Sequence, residues 1–152
     1  MDENSKNKKR CAFFGHRQYS YEAYRNTLKS MFIELIEKKG VTEFYGGGRG
    51  AFDGICASVL KQLQQQYTDI RIIQVLSYIP INDDPKKTAY DETVYLLNRF
   101  VPQRYAILET NKLLVEKVDF VVSGVCFSWG GAAKAIEYAL RRRKEIIQLI
   151  KE

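Results

Sequence analysis

The sequence predicts a single α/β domain whose mostly parallel sheet is covered by helices on both faces, and three observations predict it. Short apolar runs alternate with segments of helical spacing along the chain. Glycines follow several of those runs, where a strand would turn towards a helix. The 152 residues, 45% of them hydrophobic, suffice for one core. The expected organisation is a disordered tail over residues 1–9 and one domain over 10–152.

Each element has its own warrant. Cys11 to Gly15 (CAFFG) is an apolar run closed by Gly-His-Arg, the pattern of a buried strand. Ser20 is placed to cap a helix, with Glu22 in its first turn. Tyr24, Leu28, Met31, Phe32, Leu35 and Ile36 then share one helical face, and Gly40 stops that helix. Val41 to Tyr45 is a second strand. After a glycine cluster, Phe52, Ile55, Cys56, Val59, Leu60 and Leu63 repeat the helical spacing. Ile70 to Ile79 is a third strand, ended by Pro80. From Pro80 to Tyr105 prolines and charges interrupt any period, so an irregular excursion holding at most one short helix or strand is expected. A weakly helical stretch from Ala106 to Lys117, a strand from Asp119 to Val125, a small-residue helix from Ala132 to Arg143 and a last strand from Glu145 to Ile150 complete the reading.

Charge and cysteine content narrow the function classes. The formal net charge is +6, and setting aside the polar leading stretch DENSKNKKR leaves +4. That bias favours anionic ligands generally and does not single out nucleic acid, which is not expected as a partner. Cys11, Cys56 and Cys126 form no Cys-x-x-Cys pair and lie in apolar company, as buried thiols of a reducing compartment do. No apolar run approaches the roughly 20 residues that span a bilayer, so a cytoplasmic protein without a membrane partner is expected. His16 is the sole histidine, so no dedicated metal centre is expected, and no cofactor.

In an open parallel sheet, ligands bind beyond the carboxyl ends of the strands, near the point where strand order reverses. That rule selects three loops: Gly15-His16-Arg17, the segment from Gly46 to Asp53, and Cys126 to Gly131. Glycine permits close backbone approach, and helix N-termini offer unpaired N–H groups and the positive end of a dipole. Their convergence would make an anion pocket. A set of purely structural turns is the competing reading. GGGRGAFD is neither a P-loop, lacking the Gly-Lys-Ser/Thr ending, nor a GxGxxG fingerprint.

CAFFGHR, GGGRGAFD, Arg104 and Asn111 ahead of a strand that begins at Asp119, and SGVCFSWGGAAKAIEYA together resemble the SLOG superfamily, which joins the Smf/DprA-type proteins to the Lonely Guy phosphoribohydrolases. The closer resemblance is to its YpsA-like branch, and it covers Cys11 to Ile150. It implies a Rossmann-like three-layer sandwich of about five strands, in the order 3-2-1-4-5. It also implies a nucleotide or nucleotide-derived ligand held, as by a sensor domain, at Gly15, His16, Arg17, Gly46, Gly47, Gly48, Arg49, Gly50, Asp53, Arg104, Asn111, Gly130 and Gly131. A homo-oligomer is implied too, since members commonly dimerise.

The Lonely Guy enzymes cleave an N-glycosidic bond of nucleoside monophosphates and carry Pro-Gly-Gly-x-Gly-Thr-x-x-Glu. Here Gly130, Gly131 and Glu137 keep part of that pattern, whereas Trp129, Ala133 and Lys134 depart from it. Glu137 is therefore the candidate catalytic residue of an alternative, hydrolytic reading, against a plain surface glutamate. A third reading, a DNA-binding protein, follows from the Smf/DprA kinship.

Several residues carry two readings. Arg17 and His16 would donate to a phosphate, or cap carbonyls and fill a turn. Asp53 would accept from ribose hydroxyls, or favour its helix dipole. Arg49 would clamp an anion from its exposed loop. Trp129 would stack on a base, or serve as a packing lid. Ser123 and Ser128 lack a general base nearby in sequence. Arg141 to Lys144 suits a solvated helix end, with a nucleic-acid patch as the alternative.

Overall fold

The computed structural model describes residues 8–78 and 89–151. The leading apolar run forms strand β1 (Lys9–Phe14), which begins inside the stretch assigned to the tail. Its alternating side chains serve two cores at once: Cys11 and Phe13 enter one, Ala12 and Phe14 the other. Strands β2 (Val41–Gly46), β3 (Arg71–Leu76) and β5 (Phe120–Ser123) do the same. Such strands need cover on both faces.

Helix α1 (Arg25–Lys39) and helix α2 (Gly50–Leu63) supply it on the first face, where Leu28, Phe32, Phe52 and Leu60 are fully buried. On the second face, helix α3 (Gln103–Lys117) brings Leu114 and Val115, and helix α4 (Gly131–Arg141) brings Ala135 and Ala139. The small alanines of α4 let it lie close to the sheet and to α3. The result is a three-layer α/β/α sandwich.

Among the described residues six strands form the sheet rather than about five, in the order β4-β3-β2-β1-β5-β6, and every pairing is parallel. The five expected strands keep the expected 3-2-1-4-5 order. The sixth, β4 (Glu92–Tyr95), adds an edge beside β3 and falls within the supposed irregular excursion. The part of that excursion at 80–88, and the expected end of β3 at Ile79 and Pro80, lie outside the described residues. β6 (Glu145–Gln148) forms the opposite edge.

The helix expected from a Ser20 cap begins later. Tyr21 turns inward and is 2% exposed, donating its hydroxyl to the Gly124 carbonyl at 2.7 Å and accepting the His16 N–H at 2.9 Å. A single 3-10 turn (Glu22–Tyr24) then leads into α1, with no side-chain cap. Gly40 ends the helix as expected, at φ 73°. Cys11 and Cys56 are buried free thiols whose ionisation burial opposes, but Cys126 is partly exposed, a correction to the buried set. No helix among the described residues is long and apolar enough to cross a membrane.

Candidate functional site

Strand order reverses between β1 and β5, since the chain grows from β1 towards β2 and later returns to β1's other side. A cavity of about 750 Å³ opens there, at the carboxyl ends of the strands. Its size falls within the roughly 300–1,000 Å³ of small-molecule sites. All three glycine loops reach it: Gly15, His16 and Arg17 from the first, Gly47, Arg49 and Asp53 from the second, Gly130 and Gly131 from the third. Asn111 lines it from α3. Gly46, Gly48, Gly50, Arg104 and Glu137 are not among its lining residues.

The first two loops lock each other. Gly50 has φ 84°, and a Cβ there would lie 2.5 Å from the Arg17 Cα. That close approach lets Ala51 and Phe52 donate their N–H groups to the carbonyls of Arg17 (2.9 Å) and His16 (3.3 Å). Two N–H groups at the N-terminus of α2 are thereby used within the protein. Gly15 and Gly46 serve packing: a Cβ on either would strike the ring of Phe52 or Phe13. Phe52 also lies against Gly124, and its complete burial contributes about 1.5–3 kcal/mol.

Asp53 is the one carboxylate among the residues that line the cavity. Its Oδ2 accepts the Arg49 N–H at 2.9 Å. Burial pushes its carboxyl up to about 7, against the opposing pull of the Arg49 backbone N–H, the Arg49 and Arg17 charges and the Gly47 N–H. The group therefore changes charge near neutrality. Arg49 itself lies over the Tyr78 ring, 5.8 Å from its centroid.

His16 ties the first loop to the third. It is 6% exposed, and its Nε2 accepts the Cys126 N–H at 3.0 Å, so the neutral ring carries its proton on Nδ1. Burial lowers its pKa and maintains that state. The imidazole stacks on Phe127 at 3.5 Å and 9°, and Phe127 stacks on Trp129 at 4.3 Å and 26°. Trp129 is 67% exposed, so most of its ring is open to solvent beyond the face that rests on Phe127.

The second helix end at this edge differs from the first. α4 starts at Gly130 (φ 98°) with no side-chain cap, and among the described residues no acceptor takes the N–H groups of Gly131, Ala132 or Ala133. A Cβ on Gly131 would meet nothing within 4 Å. Arg17 and Lys134 line the same cavity, exposed and without a carboxylate partner within salt-bridge distance among the described residues. Unpaired donors, a positive dipole end and two cations thus meet at one place.

α3 supplies the remaining wall, through Ile107, Leu108, Thr110, Asn111 and Leu114. Thr110 is 2% exposed and its Oγ1 has no hydrogen-bond partner. A buried hydroxyl in that condition is uncommon and points to a missing partner. Sequence reading missed Thr110 and Phe127, because inside a helix and an aromatic-rich loop they look like packing. Arg104 is exposed, its guanidinium 4.8 Å over the Tyr105 ring, and Glu137 is exposed on α4.

Three solved structures share this architecture. The DNA processing protein A of Helicobacter pylori, described for its single-stranded DNA binding mode, superposes with a TM-score of 0.65 at 16% identity, over 95% of this chain and 66% of that one. The fold of this chain is similar to the matched part of that protein. DNA processing protein A of Streptococcus pneumoniae gives 0.68 at 13% identity, over 92% and 50%. TM1055, a structural-genomics target, gives 0.56 at 17%, over 91% and 72%. The chain thus spans just under two thirds and one half of the two DprA chains. The sequence matches no protein-family model and no curated protein. At these identities the likeness is one of fold alone, and it does not support the YpsA-like branch.

Proposed function

We propose that the cavity binds a nucleotide or nucleotide-derived ligand, its phosphate seated on the N-terminus of α4 between Arg17 and Lys134, in the manner of a YpsA-like sensor domain. The observation that carries the reading is the contrast between two helix ends at one sheet edge. The N-terminus of α2 is occupied by the His16 and Arg17 carbonyls, whereas that of α4 is uncapped and faces the cavity. Polar side chains in the α3 wall, Thr110 among them, support a ligand that extends beyond its phosphate. Asn111 adds an amide able to donate and accept there.

Calorimetric titration with nucleoside mono- and diphosphates and ADP-ribose-type compounds tests this. Saturable binding that weakens roughly tenfold in Arg17→Ala or Lys134→Ala is expected, as for the loss of a charged hydrogen bond. Flat isotherms across the panel would sink the reading.

A second reading, a surface for single-stranded DNA, gains from the Helicobacter pylori likeness, which removes the ground for setting nucleic acid aside. Exposed Phe100 and Tyr105 lie in sequence beside Arg99 and Arg104, and Trp129 is exposed as well, a mixture of aromatic and cationic groups of the kind that holds single strands. Gel shifts that persist at physiological salt would favour it. The hydrolytic alternative gains no such support, because Glu137 is absent from the cavity lining.

A further inference from the structure

We infer that Trp129 is a stacking platform for the nucleobase of the ligand, a proposal that rests on the nucleotide reading above. Trp129 immediately precedes Gly130, the residue from which α4 starts, so its ring is carried one residue from the proposed phosphate seat. A base joined to that phosphate through one sugar falls within reach of the indole. The indole is 67% exposed and lines the cavity, with Phe127 stacked at 4.3 Å behind it.

The platform is braced in depth. Phe127 rests on His16 at 3.5 Å, and His16 is held at its ring by the Cys126 N–H and at its backbone by the N–H it donates to the Tyr21 hydroxyl. Tyr21 in turn donates to Gly124. An exposed tryptophan on so fixed a support is already ordered before a ligand arrives, which reduces what binding must immobilise. Every base has a π-face, so the platform selects for a flat aromatic group rather than for one base. Mononucleotides and the bases of a single strand share that chemistry.

Trp129 is the only tryptophan, so its emission reports on the site directly. The full chain is titrated with AMP, with ribose 5-phosphate and with a short dT oligonucleotide, using fluorescence for stacking and calorimetry for affinity. AMP is expected to quench Trp129, while ribose 5-phosphate binds without quenching. Trp129→Leu is expected to weaken AMP by roughly tenfold or more and to leave ribose 5-phosphate unchanged, whereas Trp129→Phe retains most of the AMP affinity. Quenching by the oligonucleotide and not by AMP keeps the platform and assigns it to a strand. AMP and oligonucleotide binding undiminished in Trp129→Leu overturns the platform and leaves the nucleotide reading standing. If the unaltered protein binds none of the three, the nucleotide reading falls and the platform falls with it.

Discussion

The α-carbon of Arg17 lies 2.5 Å from where the Cβ of any residue other than glycine at position 50 would need to be. This contact holds the first and second loops together, since the hydrogen bonds from Ala51 and Phe52 to Arg17 and His16 depend on it. Gly50→Ala meets two penalties: a left-handed φ of 84°, costing about 1–2 kcal/mol, and overpacking against backbone, costing about 1–3 kcal/mol. Chemical denaturation should show a loss of roughly 2–5 kcal/mol. Ligand affinity should fall as well, because Arg17 is displaced.

The His16 bridge gives the fold a pH dependence of definite sign. Burial lowers the folded pKa of His16 below its ordinary 6.5. The unfolded chain therefore takes up the proton first, and the stability of the neutral ring is complete above 6.5 and lost as pH falls from there towards the folded value. Protonation also removes the acceptor that Cys126 N–H uses. His16→Gln keeps an acceptor and does not titrate. The melting temperature of the unaltered protein, taken relative to that of His16→Gln, is expected to fall between about pH 7.5 and about pH 5.5.

Asp53 acts in the opposite direction. Its carboxyl is raised from 3.8 to about 7 by burial, so the folded state holds a proton that the unfolded state has released. Between those values, stability falls as pH rises, and above about 7 the full cost of a buried charge is present. Asp53→Asn can keep an acceptor for the Arg49 N–H without the charge. Melting curves recorded above neutrality should place Asp53→Asn higher than the unaltered protein, with the difference shrinking towards about pH 4. A bound phosphate nearby would raise the carboxyl further, so ligand binding should be accompanied by proton uptake near neutrality, measurable by calorimetry in buffers of different ionisation enthalpy.

How much of this was legible depended on whether one residue type had one physical reason. β1, β2, β3 and β5 could be read because strands buried on both faces are apolar runs, and no other element of this length looks the same. β4 could not, because Glu92, Thr93 and Tyr95 face outward at the sheet edge and only Val94 packs inward. Ser20 resembles a cap in sequence, but the demand of Tyr21 for two buried partners across the fold fixes the chain differently. Glycines marked the loops that line the cavity while hiding their individual roles. Gly15 and Gly46 make room for rings, Gly50 for the neighbouring loop, and Gly131 leaves space open towards the cavity. Thr110 gave no signal, since a threonine without a partner is visible only once the wall around it is built.

Gly131 separates stability from binding. It occupies the first helical position of α4, and a Cβ there meets no heavy atom within 4 Å. Its φ is not among the positive values, so alanine fits without strain. Replacing glycine by alanine at such a position reduces the freedom of the unfolded chain and stabilises by about 0.4–1 kcal/mol. The same methyl occupies space beside the unpaired N–H groups where a phosphate would approach. Gly131→Ala is therefore expected to melt at a higher temperature than the unaltered protein while binding phosphate-bearing ligands more weakly. Gly130→Ala, one residue earlier, must adopt φ 98° and should melt lower. Equal affinity in Gly131→Ala and the unaltered protein would place the phosphate elsewhere in the cavity, because no ligand held by those amides could ignore the added carbon.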